Sequence, residues 1–147
     1  MGTPFAMTRT FLVSPWGYPC VEPPWGTLVG IDLATGDQRF EVPLGTTRDL
    51  APIPLGLELG VPNQGGPIVT ETGLIFIAAA MDDYLRAFSS ETGEELWRGR
   101  LPAGGQATPM TYRVRPDGRQ YVVIAAGGHP LMQTRLGDSV VAFALPE

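Results

Sequence analysis

The sequence predicts an all-β fold, and three observations carry the prediction. Its 147 residues include 19 Gly and 15 Pro, spaced so that strand-length apolar runs alternate with turn residues. No window sustains a 3.6-residue apolar period, so amphipathic helices are not expected. Residues 30–40, Gly-Ile-Asp-Leu-Ala-Thr-Gly-Asp-Gln-Arg-Phe, return in altered form at 87–97 as Ala-Phe-Ser-Ser-Glu-Thr-Gly-Glu-Glu-Leu-Trp, an offset of 57 residues. A repeat with such a period marks an architecture built from stacked units.

Each copy is composed as a β-hairpin. Residues 27–32 and 84–88 are strand-like, Thr35-Gly36 and Thr92-Gly93 supply the reversal, and 38–42 and 95–100 carry the chain back. Gly36 and Gly93 are expected at positive φ, which glycine adopts without steric cost. Phe40 and Trp97, each four residues after its glycine, are expected to cover the hairpin and pack on the neighbouring repeat. A single aromatic would be read as core filler; the shared spacing sets this pair apart.

The elements follow in order. Residues 1–26 form an irregular lead-in rich in Pro, Gly and aromatics, among them Pro4, Phe11 and Trp16. The first hairpin occupies 27–43, and 44–66 is a long Pro/Leu/Gly-rich connection whose apolar content favours packing. Between 66 and 100 come four strand-like runs, at 67–70, 74–79, 84–88 and 95–100, joined by turns at 71–73, 81–83 and 91–93. The cycle restarts at 109–112, 121–126 and 139–144, giving three strands within 107–145.

Four-stranded antiparallel units in series predict a β-propeller. About two blades are accounted for, whereas a closed propeller uses ~4 to 8. The chain is therefore expected to be the C-terminal part of a larger propeller, with the remainder as its partner. Unpaired strand edges at both ends are expected to favour self-association.

Composition narrows the function classes. Net charge is −5 with ten Lys+Arg, so the basic footprint of a nucleic-acid binder is absent. The longest apolar run, 74–81, falls far short of the ~20 residues that cross a bilayer, and no targeting segment is legible. Cys20 is alone, which excludes an intrachain disulfide and reads as a small packed hydrophobe.

Strand direction locates a site. In an up-and-down blade, the loop between the second and third strands emerges on the same face as the connection to the next blade. That places 44–66, 81–83, 101–106 and 127–137 on one rim, where ligand sites are expected. Asp82 and His129 occupy equivalent loops of successive units. Asp82 fits either an ordinary turn residue or a group that orients substrate or holds a cation shell. His129 is the sole histidine, and one imidazole without a second soft ligand or clustered carboxylates is a poor metal site. Asn63 and Gln106 are neutral polar groups beside glycines, able to approach a planar ligand or to satisfy loop backbone. Arg86, on a strand, reads as structural.

Longer strings then resemble a known family. Residues 65–70 (Gly-Gly-Pro-Ile-Val-Thr), 76–79 (Phe-Ile-Ala-Ala), 83–87 (Asp-Tyr-Leu-Arg-Ala), 101–112 (Leu-Pro-Ala-Gly-Gly-Gln-Ala-Thr-Pro-Met-Thr-Tyr) and 126–129 (Ala-Gly-Gly-His) resemble the C-terminal end of membrane-bound pyrroloquinoline quinone (PQQ) glucose dehydrogenases. Residues 14–20 (Ser-Pro-Trp-Gly-Tyr-Pro-Cys) and 24–26 (Pro-Trp-Gly) fit the same family. The resemblance implies an eight-bladed quinoprotein propeller in which PQQ, with Ca²⁺ or Mg²⁺, accepts two electrons from a sugar and passes them to ubiquinone at the periplasmic face of the inner membrane. It also implies that Asp82 and His129 lie close to PQQ; Asn63 and Gln106, by their own chemistry beside glycines, stand as weaker cofactor-binding candidates. An imidazole N–H there would suit a quinone or carboxylate oxygen. No catalytic or metal-ligating residue is carried over, because the family's base and cation ligands lie in earlier blades, and this segment alone is expected to be inactive. Quinate- and polyol-type quinoproteins share much of the pattern, and a non-catalytic propeller scaffold is the competing reading. Two slots of the family's tryptophan-docking repeat depart here, with Phe40 for Trp and Ser89 for Asp.

Overall fold

A computed structural model describes residues 2, 5–8, 10, 12–50 and 55–145. Pro4 and Phe11 of the lead-in and residues 51–54 of the long connection lie outside the described residues. The fold is all-β, with three antiparallel sheets in chain order. The first pairs β1 (Thr27–Ile31) with β2 (Gln38–Pro43). The second holds β3 (Ile68–Val69), β4 (Leu74–Ile77), β5 (Tyr84–Ser89) and β6 (Glu95–Arg100), in that order. The third holds β7 (Met110–Arg113), β8 (Gln120–Ala126) and β9 (Ser139–Ala144).

The two hairpins of the repeat are built alike, bond for bond. Gly36 and Gly93 take φ of 80° and 73°. Their N–H groups donate to Asp32 O (2.7 Å) and Ser89 O (2.9 Å), while the Asp32 and Ser89 N–H groups donate to Asp37 O and Glu94 O, both at 2.9 Å. The first strand of each hairpin carries one register irregularity, at Gly30/Ile31 in β1 and at Ala87/Phe88 in β5. The Asp-to-Ser departure is absorbed locally. Asp32 Oδ1 accepts the Ala34 N–H at 2.9 Å, and Ser89 Oγ accepts the Glu91 N–H at 3.2 Å, so either side chain ties down the turn.

The sheets stack through two apolar layers. Leu28, Phe40, Leu44, Val61, Ile75, Ile77, Ala79, Ala80 and Phe88 form the layer between the first and second sheets. Ala78, Leu85, Leu101, Ala103, Ile124 and Ala126, with Phe76 and Phe143 at the margin, form the layer between the second and third. The strand period of two explains the division: Ile75 and Ile77 point one way and Phe76 the other, and Leu85 opposes Phe88. Burying each large side chain contributes ~1.5–3 kcal/mol.

The docking aromatics bridge these layers as the spacing predicts. Phe40 lies against Gly30 of its own hairpin and Gly93 of the next, where an added Cβ would fall 2.3 and 2.5 Å from its ring. Trp97 meets Phe143 of the third sheet edge-on, with centroids 5.0 Å apart. Cys20 departs from expectation. It is exposed, because it sits on a surface excursion closed by the Val13–Pro19 bridge, with no layer packed over it.

Candidate functional site

Four connections converge on one face, as strand direction requires. A chain of backbone bonds links them: Val61 N–H to Leu44 O, Gln64 N–H to Ala79 O and Ala79 N–H to Gly105 O, all 2.9 Å; then Gly128 N–H to Gly104 O at 2.8 Å and Gly104 N–H to Arg135 O at 3.0 Å. At the centre of this belt Ala79 has φ of 52°, a left-handed conformation that costs a non-glycine residue of order 1 kcal/mol and persists only where the surroundings enforce it. Ala78, Ala79 and Ala80 are all buried.

Asp82 enters this face as a buried charge. It is 0 % exposed and Arg86 1 %. Arg86 Nη1 donates to Asp82 Oδ1 at 2.9 Å and Arg86 Nη2 to Oδ2, which also accepts the Thr46 N–H (2.7 Å) and Thr46 Oγ1–H (3.0 Å). Arg86 Nε faces Glu95 Oε2 at 3.3 Å. One guanidinium thus serves two carboxylates and ties β5 and β6 to the 44–66 connection. Both Asp82 oxygens are occupied by protein donors. Thr46 and Glu95, which complete this arrangement, carried no local sequence signal.

A second charged group lies beside it. Arg100 binds Asp49 in a fork, with Nη1 to Oδ2 at 2.7 Å and Nη2 to Oδ1 at 2.5 Å, and stacks over Tyr84 at 4.7 Å. Asp83 Oδ2 lies 3.5 Å from Arg100 and 3.9 Å from Arg135. The Arg100 hydrogen bonds hold Asp49 below the usual carboxylate range, whereas burial, reinforced by the Asp49 charge, pushes Asp83 above it.

His129 occupies the other end of the belt. Its backbone is extended (φ −146°, ψ 117°), preceded by Gly128 at φ 69° and followed by Pro130. Its N–H donates to Thr134 Oγ1 at 2.8 Å. The hydroxyl of Thr134 donates to Gln106 Oε1 at 2.9 Å, and Gln106 Nε2 donates to Ala80 O at 2.9 Å. Nδ1 of His129 is buried and meets no protein partner. Asn63, exposed, forms an isolated antiparallel bridge with the same Ala80. The fold therefore brings Gln106 and Asn63 to Ala80 and ties His129 to Gln106 through Thr134, while the Asp82 carboxylate turns to Thr46 and Arg86. Among the described residues no group of three His, Cys, Asp or Glu is placed to hold a metal ion, and no helix is long and apolar enough to cross a membrane.

Three stacked antiparallel sheets, docked through a repeated hairpin and joined by connections that meet on one face, define a segment of a β-propeller. Known proteins agree. The family model described as glucose/ethanol/alcohol dehydrogenase, β-propeller domain, matches residues 1–122, and the chain belongs to this PQQ-dependent dehydrogenase family. It is 48% identical over 150 residues to the quinoprotein glucose dehydrogenase of Escherichia coli (strain K12), covering 99% of this chain and 19% of that protein. It is 47% identical over 148 residues to the quinate/shikimate dehydrogenase (quinone) of Acinetobacter baylyi, covering 98% and 18%. Among solved structures, the quinohemoprotein alcohol dehydrogenase of Comamonas testosteroni superposes with a TM-score of 0.57 at 25% identity, over 86% of this chain and 17% of that one. The chain spans about a fifth of the length of the curated relatives it matches.

The residues present fit a PQQ-type group. A buried imidazole nitrogen without a protein partner is a vacant hydrogen-bonding position, and a buried polar atom of that kind costs ~1–3 kcal/mol unless a ligand completes it.

Proposed function

We propose that this chain forms one wall of the PQQ site in a quinoprotein dehydrogenase that oxidises a sugar or related polyhydroxylated substrate and delivers the electrons to ubiquinone. The observation that carries this reading is the unpartnered, buried Nδ1 of His129 on the face where four connections converge. PQQ, with a divalent cation held mainly by residues outside this chain, supplies the two-electron acceptor. His129 meets one of its oxygens through the imidazole, and the exposed Asn63 amide offers a further contact from the same rim. Asp82 serves the site from behind: with Arg86 and Thr46 it fixes the 44–66 connection against the second sheet. The near-equal identity to glucose and quinate/shikimate enzymes supports the step they share, oxidation of a hydroxylated ring, over either substrate alone. The family resemblance supports a location at the periplasmic face of the inner membrane.

A pure scaffold would have no use for the His129 vacancy. The test is titration of the full-length apoprotein with PQQ in the presence of Ca²⁺ or Mg²⁺, followed by tryptophan fluorescence. Replacing His129 with Ala should weaken PQQ binding about tenfold or more, the worth of one strong hydrogen bond. Unchanged affinity would overturn the reading.

A further inference from the structure

We propose that Thr134 and Gln106 act as a positioning relay that aims His129, and that Gln106 does so without touching the cofactor. This rests on the reading that His129 meets PQQ.

The need for a relay follows from the local chain. His129 is preceded by Gly127 and Gly128, neither of which has a side chain to anchor the approach, and Gly128 takes φ of 69°. The Gly128 N–H to Gly104 O bond ties the preceding residue to the neighbouring connection and Pro130 biases His129 toward extended backbone, but neither acts on His129's own N–H. Among the described residues, the side-chain bond to this stretch is the 2.8 Å contact from the His129 N–H to Thr134 Oγ1.

The geometry admits one arrangement of protons. Gln106 Nε2 faces the Ala80 carbonyl at 2.9 Å, so its Oε1 must point to Thr134. Oε1 is an acceptor only, so the Thr134 hydroxyl donates to it and keeps its lone pairs for the His129 N–H. A hydroxyl accepts and donates at once, which an isosteric Val cannot do. The relay runs from the β4–β5 loop through the 101–106 connection to the β8–β9 loop, so it sets His129 relative to the preceding sheet. Gly104 keeps the channel open: an added Cβ would fall 2.5 Å from both Gln106 Oε1 and Thr134 Oγ1.

The experiment is a double-mutant cycle on PQQ affinity in the full-length apoprotein, with thermal midpoints recorded alongside. Thr134→Val should weaken PQQ binding roughly fivefold, the value of one hydrogen bond. Thr134→Ser should restore it. In a His129→Ala background, Thr134→Val should add nothing, because the residue it aims is gone. If Thr134→Val weakens binding equally with and without His129, or if Ser fails to rescue, Thr134 supports the loop in general and the relay is wrong. If His129→Ala alone leaves affinity unchanged, the parent reading fails first, and that outcome is distinct. Should Thr134→Val not fold, Gln106→Met removes the acceptor of the hydroxyl while keeping side-chain length. It should weaken binding by a similar factor in the His129 protein only, and equal loss in both backgrounds overturns the relay.

Discussion

Arg86 and Asp82 face one another as a sealed ion pair, four residues apart, with Glu95 on the third guanidinium nitrogen and Thr46 on Oδ2, the carboxylate oxygen it shares with Arg86 Nη2. A pair so buried contributes little net stability, yet removing one partner strands the other charge. Asp82→Ala or Arg86→Met should therefore cost about 3–5 kcal/mol. Arg86→Lys should not rescue, since an ammonium cannot span both carboxylates with the same fork. Thermal unfolding measures each effect.

The two turn glycines should respond unequally to the same change. Gly36→Ala meets only the left-handed backbone penalty, about 1–2 kcal/mol, because nothing lies within 4 Å of an added Cβ. Gly93→Ala meets that penalty and also a clash with the Phe40 ring at 2.5 Å, adding about 1–3 kcal/mol. Equal losses for the two variants would show that Phe40 does not dock the first sheet on the second.

Asp49 and Asp83 should shift the acid stability of the rim in opposite senses. Asp49 titrates below its ordinary value of 3.8 in the fold, so its stabilisation is present above that value and drains away as pH falls from there through the lower folded value. Asp83 titrates above 3.8, so its ionisation withdraws stability as pH rises through 3.8 to the raised folded value. Asp49→Asn should lower the midpoint at neutral pH and Asp83→Asn should raise it. Both differences should shrink at acid pH, as a series of thermal melts across the acid range would record.

The isolated 147-residue chain should self-associate and lack dehydrogenase activity. The face of β9 carrying Val140 is exposed, at 74% for that residue, and its outer edge has no partner strand among the described residues. Light scattering should find oligomers, and a clean monomer would count against edge pairing. Turnover of glucose by this chain with PQQ and Ca²⁺ or Mg²⁺ would refute the one-wall assignment.

Much of the scaffold was legible because it rests on local chemistry. The Thr-Gly turns, the period-two runs and the four-residue step to Phe40 and Trp97 each encode their own conformation, and the rim followed from strand direction alone. The side-chain roles were less legible. Asp82 reads equally as a turn residue or a ligand in sequence, and its buried pairing depends on Thr46, 36 residues earlier. Thr134 carried no motif at all. Gln106 was visible as a polar residue among glycines, but its bonds to Ala80 and Thr134 join separate sheets.

By itself, then, the sequence determined the hairpins, the order of the sheets and the face on which the connections meet, since turns and alternation act between near neighbours. Only the tertiary structure decided which polar groups are spent on one another and which is left over. Burial removes water as a partner, so each polar atom must find another across sheets that sequence distance does not relate. On this rim Asp82 and Gln106 found theirs, and His129 Nδ1 did not.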